Sequence, residues 1–192
     1  MNNPITNILL VGVGGQGIIL ASEIMADVFM EAGFDVKKSE VHGMAQRGGS
    51  VSTHVRFGPK VFSPLIKEGA ADIFLAFEEL EALRYLSYLS PEPIILLNEQ
   101  RLTPPSVSLG NEEYPANIHE TLSKRSKQFK SIPARELALK AGDGRAANVV
   151  LLGALRAILS IPEEIWTENI LRRFPPKAGP VNLEAFRLGK IA

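Results

Sequence analysis

Residues 7–33, NILLVGVGGQGIILASEIMADVFMEAG, constrain the chain more than any other stretch. A short apolar run stops at a cluster of glycines, and an apolar segment of helical period follows. The run Asn7 to Val13 is continuous rather than alternating, which predicts a strand buried on both faces, as in a parallel sheet. The segment after it predicts a helix that ends at Gly33, a residue suited to the C-terminal cap. Ala21, Met25, Val28 and Ala32 form its apolar stripe. Glu23, Asp27 and Glu31 form an acidic row, and like charges four residues apart mildly disfavour a helix. A solvated face is the expected role of that row; a basic partner surface is the alternative.

Strand and helix keep alternating. FDVKKSEV and SVSTHVRF read as strands, the second with Val51, Thr53, Val55 and Phe57 on one face. Ala71–Phe77 reads as a strand and EELEALRYLSYL as one helix burying Leu80, Leu83, Leu86 and Leu89. PEPIILLN reads as a strand ending at Asn98, residues 99–117 as a long irregular excursion, and QFKSIPA as a short strand. Two helices then flank a turn at Gly142–Gly144. IPEEIWTENILRRF opens with Pro162 and two acids, a good helix start, and NLEAFRLGKIA reads as a helical tail. Arg172–Asn182 reads as a Pro/Gly arm able to wrap a neighbour, with Trp166 and Phe174 as core or interface anchors. The pattern predicts an α/β fold: a Rossmann-like three-layer sandwich around a mostly parallel sheet. At 192 residues it is expected to be a single domain. Ligands of such sheets gather at the carboxyl ends of the strands. The glycine loop and the Ser39–Ser50 loop would lie there together.

Composition removes several function classes. Formal net charge is zero, so no whole-molecule attraction to nucleic acid or an anionic membrane is expected. There is no cysteine, which excludes disulfides, a thiol nucleophile and a cysteine-held iron–sulfur cluster on this chain. His42, His54 and His119 do not stand at metal-ligand spacing, so no metal is expected. No basic leader precedes the first apolar run, and no run reaches membrane-spanning length. The expectation is a soluble cytoplasmic protein.

Gly12, Gly14 and Gly17 have the spacing of the dinucleotide fingerprint, between a strand and a helix as that motif requires. Free N–H groups at the helix start could hold an anion, and Asp35 or Glu40 could be the acid expected about 20 residues on. The competing reading is a glycine turn that packs helix on sheet. The amide of Gln16 could contact a ligand or a partner. The second loop, in SEVHGMAQRGGSVSTHVRFG, carries a histidine, a glutamine, an arginine and paired glycines. A plain connection rarely needs that chemistry.

Taken in order, GVGGQGIILASEI, SEVHGMAQRGGSVSTHVRFG, SPLI, AFEELEALRYLSYL and GDGRAANVVLLGAL resemble the gamma subunits of the 2-oxoacid:ferredoxin oxidoreductases. The EVHGMAQRGGSV form is similar to the indolepyruvate branch, in which the equivalent chain is the beta subunit. The resemblance covers roughly residues 7–190 and implies that residues 1–192 form one gamma-type catalytic domain. It implies a subunit that helps form the site where an aryl 2-oxoacid is oxidatively decarboxylated to an acyl-CoA, with electrons passed to ferredoxin. It also implies inactivity alone. Thiamine diphosphate, Mg²⁺ and the iron–sulfur clusters are expected on a larger alpha subunit. Contact with coenzyme A stays open, as does a homodimer of the isolated chain. The thiamine motif pairs Gly-Asp-Gly with an Asn well downstream. Here Asn148 follows Gly144 after only four residues, so Gly142–Gly144 is taken as a turn.

The resemblance places Gly12, Gly14, Gly15, Gln16, Gly17, His42, Gly43, Gln46, Arg47, Gly48 and Gly49 at the edge of the partner's active site. Gln46 and Arg47 are candidates for the substrate or coenzyme A entrance. Arg47 could pair with a carboxylate or phosphate, or form an intersubunit salt bridge. Gly48 and Gly49 allow close passage of the backbone. His42 is a candidate proton relay, against a hydrogen-bonded structural histidine; Met44 suits interface packing. No residue is assigned as catalytic outright. Lys124, Arg125, Lys127 and Lys130 read as a solvated helix face, with ferredoxin docking as the alternative. The rival to this whole reading is a free-standing Rossmann-like nucleotide-binding protein or NAD(P) oxidoreductase.

Overall fold

The computed structural model describes residues 5–42 and 49–192. Its strands are β1 (Thr6–Val13), β2 (Asp35–His42), β3 (Ser50–Gly58), β4 (Ala71–Ala76), β5 (Leu89–Asn98) and β6 (Gln128–Ile132). Its helices are α1 (Ile18–Glu31), α2 (Glu79–Arg84), α3 (Pro105–Ser108), α4 (Ile118–Arg125), α5 (Ala134–Ala141), α6 (Ala147–Arg156), α7 (Glu163–Arg173) and α8 (Gly179–Lys190). The strands form one sheet in the order β2-β3-β1-β4-β5-β6.

β1, β4, β5 and β6 pair parallel. β3 runs against both β1 and β2, so β2 again points the same way as β1. The sheet is mostly parallel, with one reversed strand. That reversal keeps the carboxyl ends of β1 and β2 on one edge, and it puts β3 between them.

The core divides as a two-residue period requires. Ile8 and Leu10 of β1 join the core beneath α1 and α6; Leu9 and Val11 join the opposite core with Ala82 of α2 and Leu122 of α4. Each face of β1 is therefore covered, which is why its sequence is apolar without alternation. Val51, Val55 and Phe57 of β3 face the α1 side. Phe29 and Phe57 stack at 4.1 Å, and Trp166 meets Phe29 and Phe186 at 6.0 and 5.9 Å. Trp166 is a core anchor. α6 and α8 touch backbone to backbone: a Cβ on Gly153 would strike the Phe186 carbonyl, and one on Gly189 the Val150 carbonyl.

Some expectations change. EELEALRYLSYL is not one helix. α2 stops at Arg84, a single 3-10 turn covers Leu86–Tyr88, and Leu89 already belongs to β5. Its buried residues are Glu79, Glu81 and Ala82 rather than a leucine row. The acids can be buried because each carboxylate has partners. Glu78 caps the helix by accepting from Glu81 N at 2.9 Å, and it also accepts from Leu102 N and the Tyr114 hydroxyl, each at 2.9 Å. Burial, and then the hydrogen bond to Glu78, push the Tyr114 phenol well above its ordinary pKa. Glu79 holds Arg101 at 2.7 Å. The excursion after β5 is thus fastened by α2.

Part of the Pro/Gly arm is helix: Arg172 and Arg173 end α7, and α8 begins at Gly179. The acidic row on α1 meets basic residues of its own chain: Glu23 pairs with Arg173, and Glu31 with Arg172 at 3.6 Å. Arg125 is not a free member of a basic face. Its guanidinium donates to the carbonyls of Leu89, Ser90 and Pro91.

Candidate functional site

The carboxyl edge of the sheet gathers the two loops. His42 at the end of β2 pairs with Val51, which pairs in turn with Gly12 of β1. Gly14 N donates to Gly49 O at 2.9 Å, joining the glycine loop to the second loop directly. Gly43, Gln46, Arg47 and Gly48, with Met44, lie outside the described residues. For His42 the described feature is its backbone place at the strand end.

Gln16 occupies the turn. Its side-chain oxygen accepts from Val13 N at 2.7 Å, and its nitrogen donates to Phe77 O at 2.8 Å and Gln100 Oε1 at 3.1 Å. Asn98, the last residue of β5, donates to the same Phe77 carbonyl at 3.0 Å and to Gln100 at 3.1 Å. One amide network therefore ties the ends of β1, β4 and β5. Gly12 is needed for this side chain: a Cβ there would lie 2.6 Å from Gln16 Oε1 and 2.7 Å from the Phe77 Cβ. Gly17 combines a positive φ of 75° with close approach to α6, where a Cβ would meet Asn148 Nδ2 at 2.6 Å. The glycine spacing thus seats a side chain and a helix.

The dinucleotide reading loses its other element too. Asp35 begins β2, at the opposite end of the strand from the glycine loop, where Lys37 holds it at 2.7 Å. That hydrogen bond and the one from Val61 N keep the Asp35 carboxyl below its ordinary pKa. Glu40 pairs with Lys38 at 2.5 Å. The motif needs the acid on the second strand lying beside β1; here β1 lies between β3 and β4, and β2 is at the sheet edge.

Beside the network lies a crevice of about 720 Å³. Its walls come from the glycine loop, the strand-end amides Asn98 and Gln100, the Gly142–Ala147 turn, and Phe174 to Asn182. The Pro/Gly arm thus packs on its own chain. Gly142 ends α5 in the left-handed region, and Asp143 caps the next turn through Arg145 N at 2.9 Å. The Arg145 guanidinium also binds Asp143, at 2.7 and 2.9 Å, and this holds the carboxyl below its usual range. Asn148 turns to Gly17 O at 3.3 Å. With its carboxylate engaged and its asparagine turned away, this Gly-Asp-Gly turn does not fit thiamine diphosphate and Mg²⁺.

Glu81 was not legible as a site residue. It is 2% exposed, and it accepts from Ser50 Oγ at 2.5 Å and from Arg84 at 2.6 Å. Tyr85 Oη lies 3.2 Å from the same hydroxyl. Ser50 opens β3 directly after the second loop, so α2 anchors that loop's exit. Asn98 and Gln100 were also missed. A polar residue ending the apolar run IILL, at the carboxyl end of a central strand, was the available signal.

The remaining histidines are structural. His54 is 4% exposed, accepts from Ile66 N through Nδ1 at 3.1 Å, and meets Tyr88 edge-on at 5.7 Å. Burial pushes its pKa below 6.5. His119 lies 3.3 Å from Glu79. Among the described residues, no three His, Asp or Glu side chains gather to hold a metal ion. Among them, too, no helix is long and apolar enough to cross a membrane.

Residues 7–191 match the family model "Pyruvate ferredoxin/flavodoxin oxidoreductase". The indolepyruvate oxidoreductase subunit IorB of Archaeoglobus fulgidus is 43% identical, covering 95% of this chain and 92% of that one. IorB of Pyrococcus horikoshii is 41% identical, with 95% and 93% covered. The crystal structure of a keto/oxoacid ferredoxin oxidoreductase gamma subunit from Geobacter sulfurreducens PCA superposes with a TM-score of 0.71 at 26% identity. That superposition covers 96% of this chain and 95% of the other.

Proposed function

The chain belongs to the pyruvate ferredoxin/flavodoxin oxidoreductase family, and on that premise we propose that it is the small subunit of an indolepyruvate:ferredoxin oxidoreductase. It works with a larger alpha subunit to convert an aryl 2-oxoacid to its acyl-CoA, and the complex delivers electrons to ferredoxin. The alpha subunit holds thiamine diphosphate, Mg²⁺ and the iron–sulfur clusters, which supply decarboxylation and electron transfer. This chain has no cysteine to hold a cluster.

Its own contribution is positional. The amide network holds three strand ends, and the Gly14–Gly49 hydrogen bond couples the glycine loop to the second loop at one edge. Presented there, Gln46 and Arg47 line the entrance to the alpha subunit's site, Arg47 pairing with a carboxylate or phosphate. Gly48 and Gly49 let a neighbouring backbone pass close, and His42 stands at the strand end beside them. The edge closes the site and orients what enters it; alone it is inactive.

The observation that carries this reading is the joining of the two motif loops by Gly14 N–H and Gly49 O. Omission and add-back tests it. The alpha subunit without this chain should lack indolepyruvate- and CoA-dependent reduction of a viologen dye, and adding the chain should restore it. Full activity of the alpha subunit alone would contradict the reading.

A further inference from the structure

Strand β2 forms one border of the sheet. It pairs with β3 over its whole length, Asp35 to His42, in unbroken register. Among the described residues, no backbone group pairs with its outer side. A straight edge of eight residues is a template for another strand. Lysines commonly guard such an edge. Here both lysines are already engaged within the chain: Lys37 holds Asp35 at 2.7 Å, and Lys38 holds Glu40 at 2.5 Å. The two-residue period sorts the strand into two faces. Lys38 lies on the α1 side, its Nζ 3.5 Å from Ser22 Oγ, and Glu40 shares that face. Lys37, Ser39 and Val41 lie on the other face, where Val41 is 54% exposed.

We propose that β2 docks on β2 of a second copy of this chain, antiparallel across a two-fold axis at Ser39, so that two six-stranded sheets become one. The register follows from symmetry and charge. A two-fold axis perpendicular to the sheet keeps each face on its own side. Directly opposed residues must then share a face, so the axis passes through a residue. Centring on Lys37, Lys38 or Glu40 sets like charges directly against each other, which is unfavourable. Centring nearer either end pairs three residues or fewer before β2 runs out. Centring on Ser39 pairs Val36 to His42, seven of the eight residues. It puts a small polar side chain on the axis and sets Lys38 of each copy against Glu40 of the other. The pair that each chain makes alone then becomes a ring of four alternating charges. On the opposite face, the exposed Val41 meets the aliphatic stem of Lys37 from the second copy.

The chain has no cysteine, so one introduced thiol reports the register. Ser39→Cys should cross-link two full-length chains under mild oxidation, because opposed residues have Cα atoms about 4.5–5.5 Å apart, within disulfide reach. Lys37→Cys should not, because its counterpart lies four positions off, about 13 Å along the strand. Sedimentation equilibrium of the full chain should show a dimer, weakened about tenfold by Lys38→Glu and by Glu40→Lys alike. An equimolar mixture of those two variants should dimerise more tightly than either alone. The mixed dimer regains both ion pairs between copies while the pairs within each chain stay like-charged, which no effect inside one chain can imitate. A chain that stays monomeric, a position-39 thiol that does not cross-link, or a mixture no tighter than its parts overturns the proposal. So does a position-39 thiol that links to a different chain in the assembled complex. A complex that reduces the dye while its small subunits fail to pair removes this inference and leaves the proposed function standing.

Discussion

Gly14 and Gly49 share a backbone hydrogen bond of 2.9 Å, which ties the glycine loop to the residue that enters β3 at the carboxyl edge. The reversed strand β3 makes this contact available. Because β3 returns between β1 and β2, Gly49 arrives at the sheet edge one residue before Ser50 pairs with Val13.

The Gln16 side chain should matter for both stability and activity. Gln16→Ala removes its hydrogen bonds to Val13, Phe77 and Gln100 and leaves Val13 N–H without its acceptor. The expected cost is about 1–3 kcal/mol, read as a lower urea midpoint at constant m. Dye reduction by the assembled complex should fall as well. A variant with wild-type stability and rate would show that the network is incidental.

Glu81 should govern the exit of the second loop. Glu81→Ala loses charge-assisted hydrogen bonds to Ser50 and Arg84 and should cost about 2 kcal/mol. Ser50→Ala, which removes one partner only, should cost less. In the complex both variants should lower kcat/KM for the acyl acceptor beyond what their stability loss explains, measured well below the melting temperature.

The contact between α6 and α8 has no room for a methyl group. Gly153→Ala and Gly189→Ala each drive a Cβ into a carbonyl of the facing helix. Overpacking of this kind costs about 1–3 kcal/mol or more. Thermal melts should show a clear drop for each, whereas Gly110→Ala, with nothing near its Cβ position, should show only the milder strain of its positive φ.

His54 makes stability depend on pH in a stated direction. Burial lowers its folded pKa below 6.5, so between the two values the unfolded chain binds the extra proton. Its contribution is fully present above about pH 7, is lost as pH falls below 6.5, and levels off below the folded pKa. His54→Asn keeps an acceptor for Ile66 N–H and cannot titrate, so its urea midpoint should fall less than that of wild type between pH 7.5 and 5. Equal slopes would contradict the assignment. The half-buried carboxylates Asp35 and Asp143, whose pKa values are lowered, titrate below this window.

The sheet and its layers were legible because burial on two faces writes a continuous apolar run, as in Ile8–Val11, and because Gly33 and Gly142 punctuate helices. The direction of β3 was not legible: an alternating strand reads the same in either sense. α2 misled because a leucine at every third position suggests an apolar stripe. Burial there instead follows the carboxylates, whose partners Leu102, Tyr114 and Arg101 lie far along the chain. The glycine motif gave the right place and an ambiguous purpose. Its spacing is shared by turns that seat a phosphate and by this turn, which seats Gln16. The Asn98–Gln100 pair was missed for a similar reason, since its meaning depends on Phe77 and Gln16 in other segments.

The most direct test of the central claim is anaerobic affinity purification of the chain from its own host, with iron and dye-reduction assays on the eluate. The account predicts a larger, iron-rich partner and indolepyruvate- and CoA-dependent reduction of a viologen dye. Recovery of the chain alone, without iron or activity under conditions that preserve clusters, would contradict it.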